Sequence, residues 1–255
     1  MSEFAQGCRL KAQGSGLQPP ASSLQRSWCS DRLIVALDFT SLAPALRMAR
    51  RLRGLVRAVK VGSALFTAAG PEAVARLRAL GFNIMLDLKF FDIPNTVALS
   101  CHAAARLGVT RLTVHAAGGE EMLRAAVAGA RVGIRSRSAA PKVLAVTVLT
   151  SAPAGRRRVV ELARIALASG CDGVVASAQE VEALRRALPR RAEIVCPGIR
   201  PASASSGDQR RIATPARALA NGANLLVVGR PILEAANPAR AARRIIQEME
   251  DAHAC

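Results

Sequence analysis

Aromatic residues are scarce in this chain: they make up 3% of its 255 residues, and tyrosine is absent. The core must therefore be built mainly from Ala, Val, Leu and Ile, because 51% of the residues are nonetheless hydrophobic. So few rings also leave little for nucleic-acid bases to stack on. No apolar run approaches the roughly 18 residues that a membrane span requires, so we expect no membrane association.

Cysteine and histidine show no pattern typical of disulfide frameworks or metal sites. The six cysteines include no C-x-x-C pair, and no group of His, Cys, Asp and Glu has metal-ligand spacing. A bound metal is therefore not required. Cys101, Cys171 and Cys196 stand in apolar surroundings and are expected in the core. With no secretory signal in the sequence, a reduced cytoplasmic setting is expected.

Lysine is rare although the net charge is +18. Only Lys11, Lys60, Lys89 and Lys142 are lysines, and the other 32 of the 36 basic residues are arginine. The arginines are spread along every helical stretch, which favours a solvated surface over a nucleic-acid patch. Lys60 and Lys89 follow predicted strands close to aspartates. Because lysine can give up a proton and arginine cannot, this placement points to proton chemistry.

The chain divides into a short extension and one domain. Residues 1–30 are rich in Gly, Pro, Ser and Gln without apolar periodicity, and we predict that they form a disordered extension. From residue 31 to 255, β-branched apolar runs alternate with helical stretches. Eight such pairs in one domain of this length predict an α/β fold, a single (β/α)8 TIM barrel with a parallel sheet.

The predicted strands are 33–37, 56–61, 82–86, 111–114, 143–148, 173–176, 192–196 and 224–228. The predicted helices are 42–53, 63–79, 95–107, 119–132, 156–169, 178–188, 208–220 and 232–250. In such barrels the chemistry gathers at the carboxyl ends of the strands. The loop 198–209, rich in Gly, Ser and Ala, is long enough to close there as a lid.

Acids and lysines alternate at the ends of the first three strands, where Asp38, Lys60, Asp87 and Lys89 stand. In a site sheltered from water, such a row keeps Asp87 ionised and Lys89 protonated. A protonated lysine beside a carboxylate can deliver a proton to a carbanion. The alternative for the row is a structural ion-pair network. His115, at the end of the fourth strand, is either a base or a structural histidine.

The eighth strand ends in Gly229-Arg230-Pro231 at the predicted start of a helix. Glycine lets the backbone approach a ligand closely, the amides of a helix start point outwards, and arginine adds positive charge. Loops after the seventh and eighth strands often bind phosphate in these barrels. The pattern therefore favours a phosphate site here, with an ordinary turn before the last helix as the alternative.

The segment Asp87-Leu-Lys89-Phe-Phe-Asp92-Ile-Pro-Asn-Thr96 resembles the signature of the orotidine 5′-monophosphate decarboxylase family. The resemblance extends from Leu33 to about Glu250 and includes Thr113-Val-His115-Ala, Pro197-Gly-Ile-Arg200-Pro and Val228-Gly-Arg230-Pro-Ile. D-x-K-x-x-D alone is shared with sugar-phosphate relatives, and the continuation Ile-Pro-Asn-Thr makes the match specific. After Ser151 this chain is shorter than the family pattern.

The resemblance implies a cofactor-free homodimer that removes CO2 from orotidylate to give UMP, the last step of pyrimidine biosynthesis. It implies that Lys89 protonates C6 as CO2 leaves, and that Asp87, positioned by Lys60, lies against the departing carboxylate. Asp92 and Thr96 are implied to reach across the dimer interface into the site of the neighbouring subunit.

The remaining implied contacts bind the nucleotide. Asp38 and Lys60 would hold the ribose hydroxyls, and Thr150 and Ser151 would meet the pyrimidine. The implied phosphate ligands are Arg200, Gln209, Gly229 and Arg230.

Two other functions stay open from the sequence. One is a Mg²⁺-dependent sugar-phosphate decarboxylase or synthase of the same barrel type, although such relatives usually continue D-x-K-x-x-D with Ala-Gly. The other is a non-catalytic basic barrel that binds anions or nucleic acid, although we expect no nucleic-acid partner because of the scattered charge and few aromatic rings.

Overall fold

The computed structural model describes residues 28–134, 139–149, 155–201 and 213–252. Eight parallel strands close into a barrel in the order β1 to β8, with β8 paired to β1. The strands are β1 Leu33–Ala36, β2 Ala58–Gly62, β3 Asn83–Phe90, β4 Arg111–His115, β5 Lys142–Val146, β6 Gly173–Val175, β7 Glu193–Cys196 and β8 Leu225–Val228. The predicted (β/α)8 barrel is confirmed.

Helices follow the strands around the outside of the barrel. They are α1 Leu42–Leu52, α2 Ser63–Ala79, α3 Pro94–Arg106, α4 Gly119–Arg131, α5 Arg156–Ala168, α6 Val181–Ala187, α7 Pro215–Ala220, α8 Arg230–Leu233 and α9 Pro238–Asp251. Their apolar stripes face the sheet, as the 3.6-residue spacing predicts. None of these helices is long and apolar enough to cross a membrane.

The strands are apolar on both faces because each face is buried against a different layer. Alternate residues such as Ile34 and Ala36 point into the barrel, where they pack with Met85, Val146 and Val227. The intervening residues pack outwards beneath the helices in a larger cluster. The two-residue period of a strand thus explains both cores.

Several predicted boundaries shift by a few residues, and three differences change the description of the fold. Residues 28–32 are helical, and Arg32 lies over the Trp28 ring. Because Cys29 is only 1% exposed, residues 28–30 belong to the packed barrel domain and not to the predicted extension. The eighth predicted helix is in fact two helices, α8 and α9. The second begins at Pro238, where Asn237 is its N-cap. β3 extends to Phe90, four residues beyond the predicted strand end. Residues 1–27 lie outside the described residues.

An ion cluster joins three strands at their amino ends. Glu193 at the start of β7 is 7% exposed and accepts from Arg111 Nε at 2.5 Å and from Lys142 Nζ. Arg111 begins β4 and Lys142 begins β5. Burial raises the pKa of Glu193, but the Arg111 and Lys142 cations outweigh it, so the pKa lies below its usual value. Because the chemistry of such barrels lies at the opposite, carboxyl end of the strands, a cluster at this end serves stability.

Helices α3 and α4 pack closely because Gly129 has no side chain. A Cβ at Gly129 would come within 2.1 Å of the Ala98 carbonyl oxygen. This contact holds α3, which follows the Asp92 turn, firmly against its neighbour. The position of that turn relative to the barrel is therefore set by backbone packing.

Candidate active site

A cavity of about 270 Å³ opens at the carboxyl ends of the strands. Barrel closure brings together there seven residues that the sequence analysis singled out: Asp38, Lys60, Asp87, Lys89, Arg200, Gly229 and Arg230. The first four lie in or just after strands β1 to β3, and the last three follow β7 and β8. They line one cavity only because the sheet closes into a barrel.

The acids and lysines predicted to alternate at the strand ends lie in direct contact with one another. Lys60 Nζ lies 2.9 Å from Asp38 Oδ1 and 3.4 Å from Asp87 Oδ2. Lys89 Nζ donates to the same Asp87 oxygen at 2.9 Å. Asp87 therefore receives two ammonium groups on one oxygen, a charge-assisted arrangement that fixes the relative positions of all four side chains.

Strand register explains why these side chains face one another. Ala36, Lys60 and Met85 are aligned across β1, β2 and β3, so Lys60 points into the barrel like its neighbours. Gly62, two residues further along β2, leaves the room that the lysine needs. A Cβ there would lie 3.0 Å from Lys60 Nζ and 3.3 Å from Asp38 Oδ1.

Charge pairing outweighs burial in this row. Burial raises the pKa of Asp87, but Lys60, Lys89 and a hydrogen bond from Thr113 lower it further, so the pKa lies below its ordinary value. Burial lowers the pKa of Lys60, but Asp87 and Asp38 bring it above its ordinary value. Both groups are therefore charged at neutral pH, as the sequence analysis expected for Asp87.

The backbone at Lys89 is unusual. Its φ is +52°, and among the described residues it is the one non-glycine with positive φ. The register between β3 and β4 shifts between Leu86 and Phe90, which marks a bulge at this point. A left-handed non-glycine residue costs about 1–3 kcal/mol and is found where surrounding contacts impose it, often at functional sites. The predicted third strand ended at residue 86, before Lys89, and nothing in the sequence pattern indicated this backbone strain.

Thr113 is a site residue that the sequence analysis did not single out. It is fully buried in β4, and its Oγ1 donates to Asp87 Oδ1 at 3.0 Å and accepts from the Lys89 amide at 2.9 Å. The signal in the sequence was a polar residue at an inward-facing position of an otherwise apolar strand. That Thr113 contacts Asp87 and Lys89 could not be predicted, because the contact depends on the register between β3 and β4.

Arg200 and Arg230 lie at the β7–β8 side of the cavity. Arg200 is 7% exposed, and its amide donates to the Ala213 carbonyl at 3.1 Å. Arg230 begins α8 directly after Gly229. Two guanidinium groups beside a helix start suit an anionic group such as a phosphate.

His115 stands beside the site and not in the cavity wall. Its ring centroid is 5.6 Å from that of Phe91, and its Nδ1 is buried without a hydrogen-bond partner. Burial and the nearby charge of Lys89 lower the pKa of His115 below its ordinary value. The imidazole packs against the Phe91 ring and does not line the cavity, which favours the structural role over that of a base.

Asp92 and Thr96 do not line the cavity. Both are exposed, and Asp92 Oδ1 accepts from the Ile93 amide at 2.6 Å. Thr150, Ser151, Gln209 and most of the expected lid lie outside the described residues. Within the described ranges, no three His, Cys, Asp or Glu side chains converge as metal ligands.

Comparison with known proteins identifies relatives over most of the chain. Residues 31–245 match the model of the Orotidine 5′-phosphate decarboxylase / HUMPS family. The chain is 48% identical to Orotidine 5′-phosphate decarboxylase of Halorhodospira halophila over 229 residues, covering 86% of this chain and 95% of that protein. It is also 48% identical to the protein of that name from Moorella thermoacetica, with 88% and 94% coverage.

Solved structures agree in fold. Orotidine 5′-phosphate decarboxylase from Lactobacillus acidophilus is 37% identical, with a TM-score of 0.75 over 86% of this chain and 99% of that one. An uncharacterised conserved protein from Geobacillus kaustophilus is 35% identical, with a TM-score of 0.74 over 85% and 99%.

Proposed function

The chain belongs to the Orotidine 5′-phosphate decarboxylase / HUMPS family, and on that premise we propose the residues by which it converts orotidine 5′-monophosphate to UMP and CO2 in pyrimidine biosynthesis. The observation that carries the assignment is the Asp87 carboxylate with the Lys60 and Lys89 ammonium groups on one oxygen. Because the proposed reaction belongs to nucleotide biosynthesis, the proposal includes a cytoplasmic location.

Lys89 is the proton donor. Its side chain is 36% exposed and lines the cavity. When the bond between C6 and the carboxylate breaks, its electron pair stays on C6 and CO2 leaves. Lys89 then gives a proton to C6 and takes another from solvent, so the net reaction consumes one proton.

Asp87 and Lys60 prepare the site for that step. Asp87 is ionised and buried, so it destabilises a second carboxylate placed against it more than the neutral CO2 that leaves. Lys60 holds Asp87 in place and, with Asp38, binds the ribose hydroxyls. Because these charges are already oriented, little reorganisation is needed during the reaction.

The phosphate binds far from C6. Arg200, Gly229 and Arg230 line one side of the cavity and are the proposed phosphate ligands. A further phosphate contact is assigned to Gln209, and the pyrimidine contacts to Thr150 and Ser151, on the family resemblance alone, because these three residues lie outside the described ranges. Binding energy from the phosphate offsets the unfavourable contact between the substrate carboxylate and Asp87, which is how a remote group can raise the rate.

The enzyme acts as a homodimer in which Asp92 and Thr96 complete the site of the neighbouring subunit. Phe91, Ile93 and Leu99 are 62%, 65% and 62% exposed. Large apolar side chains clustered next to an active site are typical of a subunit interface. Asp92 lies in this surface and not in its own cavity, which fits a role across the interface.

The test is an assay of the purified full-length protein with orotidine 5′-monophosphate, followed by the ultraviolet absorbance of the pyrimidine, with and without EDTA. Turnover unaffected by EDTA is expected. No turnover would refute the function, and turnover lost with EDTA would favour the metal-dependent sugar-phosphate type of site.

Lys89→Ala tests the proton donor. We expect turnover to disappear while UMP binding, measured by calorimetry, stays detectable, because the phosphate and ribose contacts remain. Lys142→Ala is the matched control: it removes a lysine at the opposite end of the barrel and should keep full turnover at 25 °C. Retained catalysis by Lys89→Ala would exclude Lys89 as the donor.

A further inference from the structure

Thr113 links the two residues to which we assign the chemistry. It lies on β4, faces into the barrel and is completely buried. Its neighbours Leu112 and Val114 pack outwards in the core beneath the helices. Apolar residues fill most inward positions of this barrel. A buried hydroxyl group among them must be compensated by hydrogen bonds, which indicate its role.

The direction of its hydrogen bonds is determined by chemistry. A backbone amide can only donate, so Thr113 Oγ1 is the acceptor for the Lys89 amide at 2.9 Å. The hydroxyl proton is then free to point at Asp87 Oδ1, 3.0 Å away. An ionised carboxylate can only accept, so the two bonds form one consistent chain from amide to hydroxyl to carboxylate.

The hydroxyl holds the carboxylate at the oxygen that the lysines leave open. Lys60 and Lys89 both lie near Asp87 Oδ2, at 3.4 and 2.9 Å. Thr113 donates to Oδ1. Without it, the carboxylate would be held on one oxygen and could rotate about its last side-chain bond.

The same hydroxyl supports the backbone of Lys89. This residue has φ +52° at the break in register between β3 and β4. Its amide donates to a side chain across that break. Thr113 thus stabilises the bulge from which the lysine side chain starts, and so the path of Nζ towards Asp87.

We propose that Thr113 is a positioning residue, whose hydroxyl aligns the Asp87 carboxylate and the Lys89 backbone for proton delivery. The inference rests on the roles assigned to Asp87 and Lys89 above. Thr113 does not line the cavity, so it acts through these residues and not on the substrate.

The test compares four full-length variants with the wild-type enzyme in kcat, KM and UMP affinity. Thr113→Val keeps the shape and removes the hydroxyl; Thr113→Ser keeps the hydroxyl; Thr113→Ala removes both methyl and hydroxyl. Thr110→Val is the matched control, because Thr110 Oγ1 donates to the Ile84 carbonyl at 3.1 Å between the same two strands at the far end of the barrel.

We expect Thr113→Val to lower kcat about 10- to 100-fold, the scale of a small misplacement of reacting groups, with KM and UMP affinity close to wild type. Thr113→Ser should recover most of kcat, and Thr110→Val should match wild type. Thr113→Val with wild-type kcat, or Thr113→Ser as slow as Thr113→Val, would overturn the proposal.

If Thr113→Val does not fold, the Ser and Ala variants decide in the same way: equal kcat overturns the proposal, and a slower Ala variant supports it. An inactive wild-type enzyme would refute the proposed function, whereas an active wild-type enzyme with an unaffected Thr113→Val would refute the positioning role alone.

Discussion

Lys60 has two carboxylate partners, and this makes it the residue through which the site's charges are balanced. It lies between Asp38 and Asp87 and is 12% exposed in its side chain. Two nearby anions raise its pKa against the effect of burial, while its own charge helps lower the pKa of Asp87. Each of the two pKa shifts therefore depends in part on the charge of the other residue, so Lys60 and Asp87 titrate as a coupled pair.

This coupling predicts the pH dependence of a Lys60→Met variant. The pKa of Asp87 is lowered in the native enzyme, so the carboxylate stays ionised well into acid. Removing the Lys60 charge should raise that pKa, and the acid limb of kcat/KM should move to higher pH than in the wild type. Lys142→Met, which removes a distant lysine, should leave the limb in place. An acid limb that does not move in Lys60→Met would show that Asp87 does not control it.

At the scale of the element, strands β4, β5 and β7 are tied at their amino ends by one buried carboxylate. Glu193 has a side chain 8% exposed, Arg111 17% and Lys142 49%. Lys142, to which the sequence pattern assigned no role, completes this cluster. Three strands that are not all adjacent are thereby joined at the end of the barrel remote from the cavity.

Glu193→Gln should therefore destabilise the fold without changing the site. We expect a loss of about 2–4 kcal/mol in the free energy of unfolding by urea at pH 7, because the partly buried Arg111 is left without a countercharge. Glu182→Gln is the control: its pair with Arg186 is exposed on α6, and such surface pairs contribute about 0.3–0.5 kcal/mol. Equal stability of the two variants would contradict a structural role for the cluster.

The pH dependence of that difference has a definite sign. The pKa of Glu193 is lowered in the folded state, so its stabilisation is fully present above the unfolded pKa near 4.3 and is lost as the pH falls through the folded value. Urea unfolding of wild type and Glu193→Gln should therefore differ at neutral pH and converge in acid. A difference that grows as the pH falls would contradict this sign.

At the scale of the whole molecule, the proposed dimer would make each active site depend on residues of both subunits. Phe91 and Ile93, on either side of Asp92 in the chain, and Leu99 on the following helix α3 are exposed apolar residues. A symmetric dimer would bury the same patch of both subunits and place Asp92 of each beside the cavity of the other.

Mixing inactive variants tests this arrangement. In a Lys89→Ala/Asp92→Asn heterodimer, one site has both changes and the other has neither. After subunit exchange about half of the dimers are mixed, and each of these has one intact site out of two. We therefore expect about a quarter of wild-type activity. A Lys89→Ala/Asp87→Asn mixture is the control and should stay inactive, since both residues belong to one subunit's site. No recovery in the first mixture would refute a shared site.

The sequence by itself was enough to predict the fold class and to single out the charged residues that line the cavity. Alternating apolar runs and helical stretches reflect burial along each element, and eight of them predict the barrel. The order Asp87-x-Lys89-x-x-Asp92 with Ile-Pro-Asn-Thr led to the family that the comparisons confirm. These features are local in the chain, so they can be read without knowing which strand lies next to which.

Tertiary structure alone decided the contacts between strands. The hydroxyl of Thr113 on Asp87, the left-handed backbone of Lys89, the room left by Gly62 and the cluster around Glu193 all depend on register and closure of the sheet. A shift of one residue in strand pairing would turn each of these side chains to the other face. No periodic pattern along the chain specifies that register, because it is set by packing of the whole barrel.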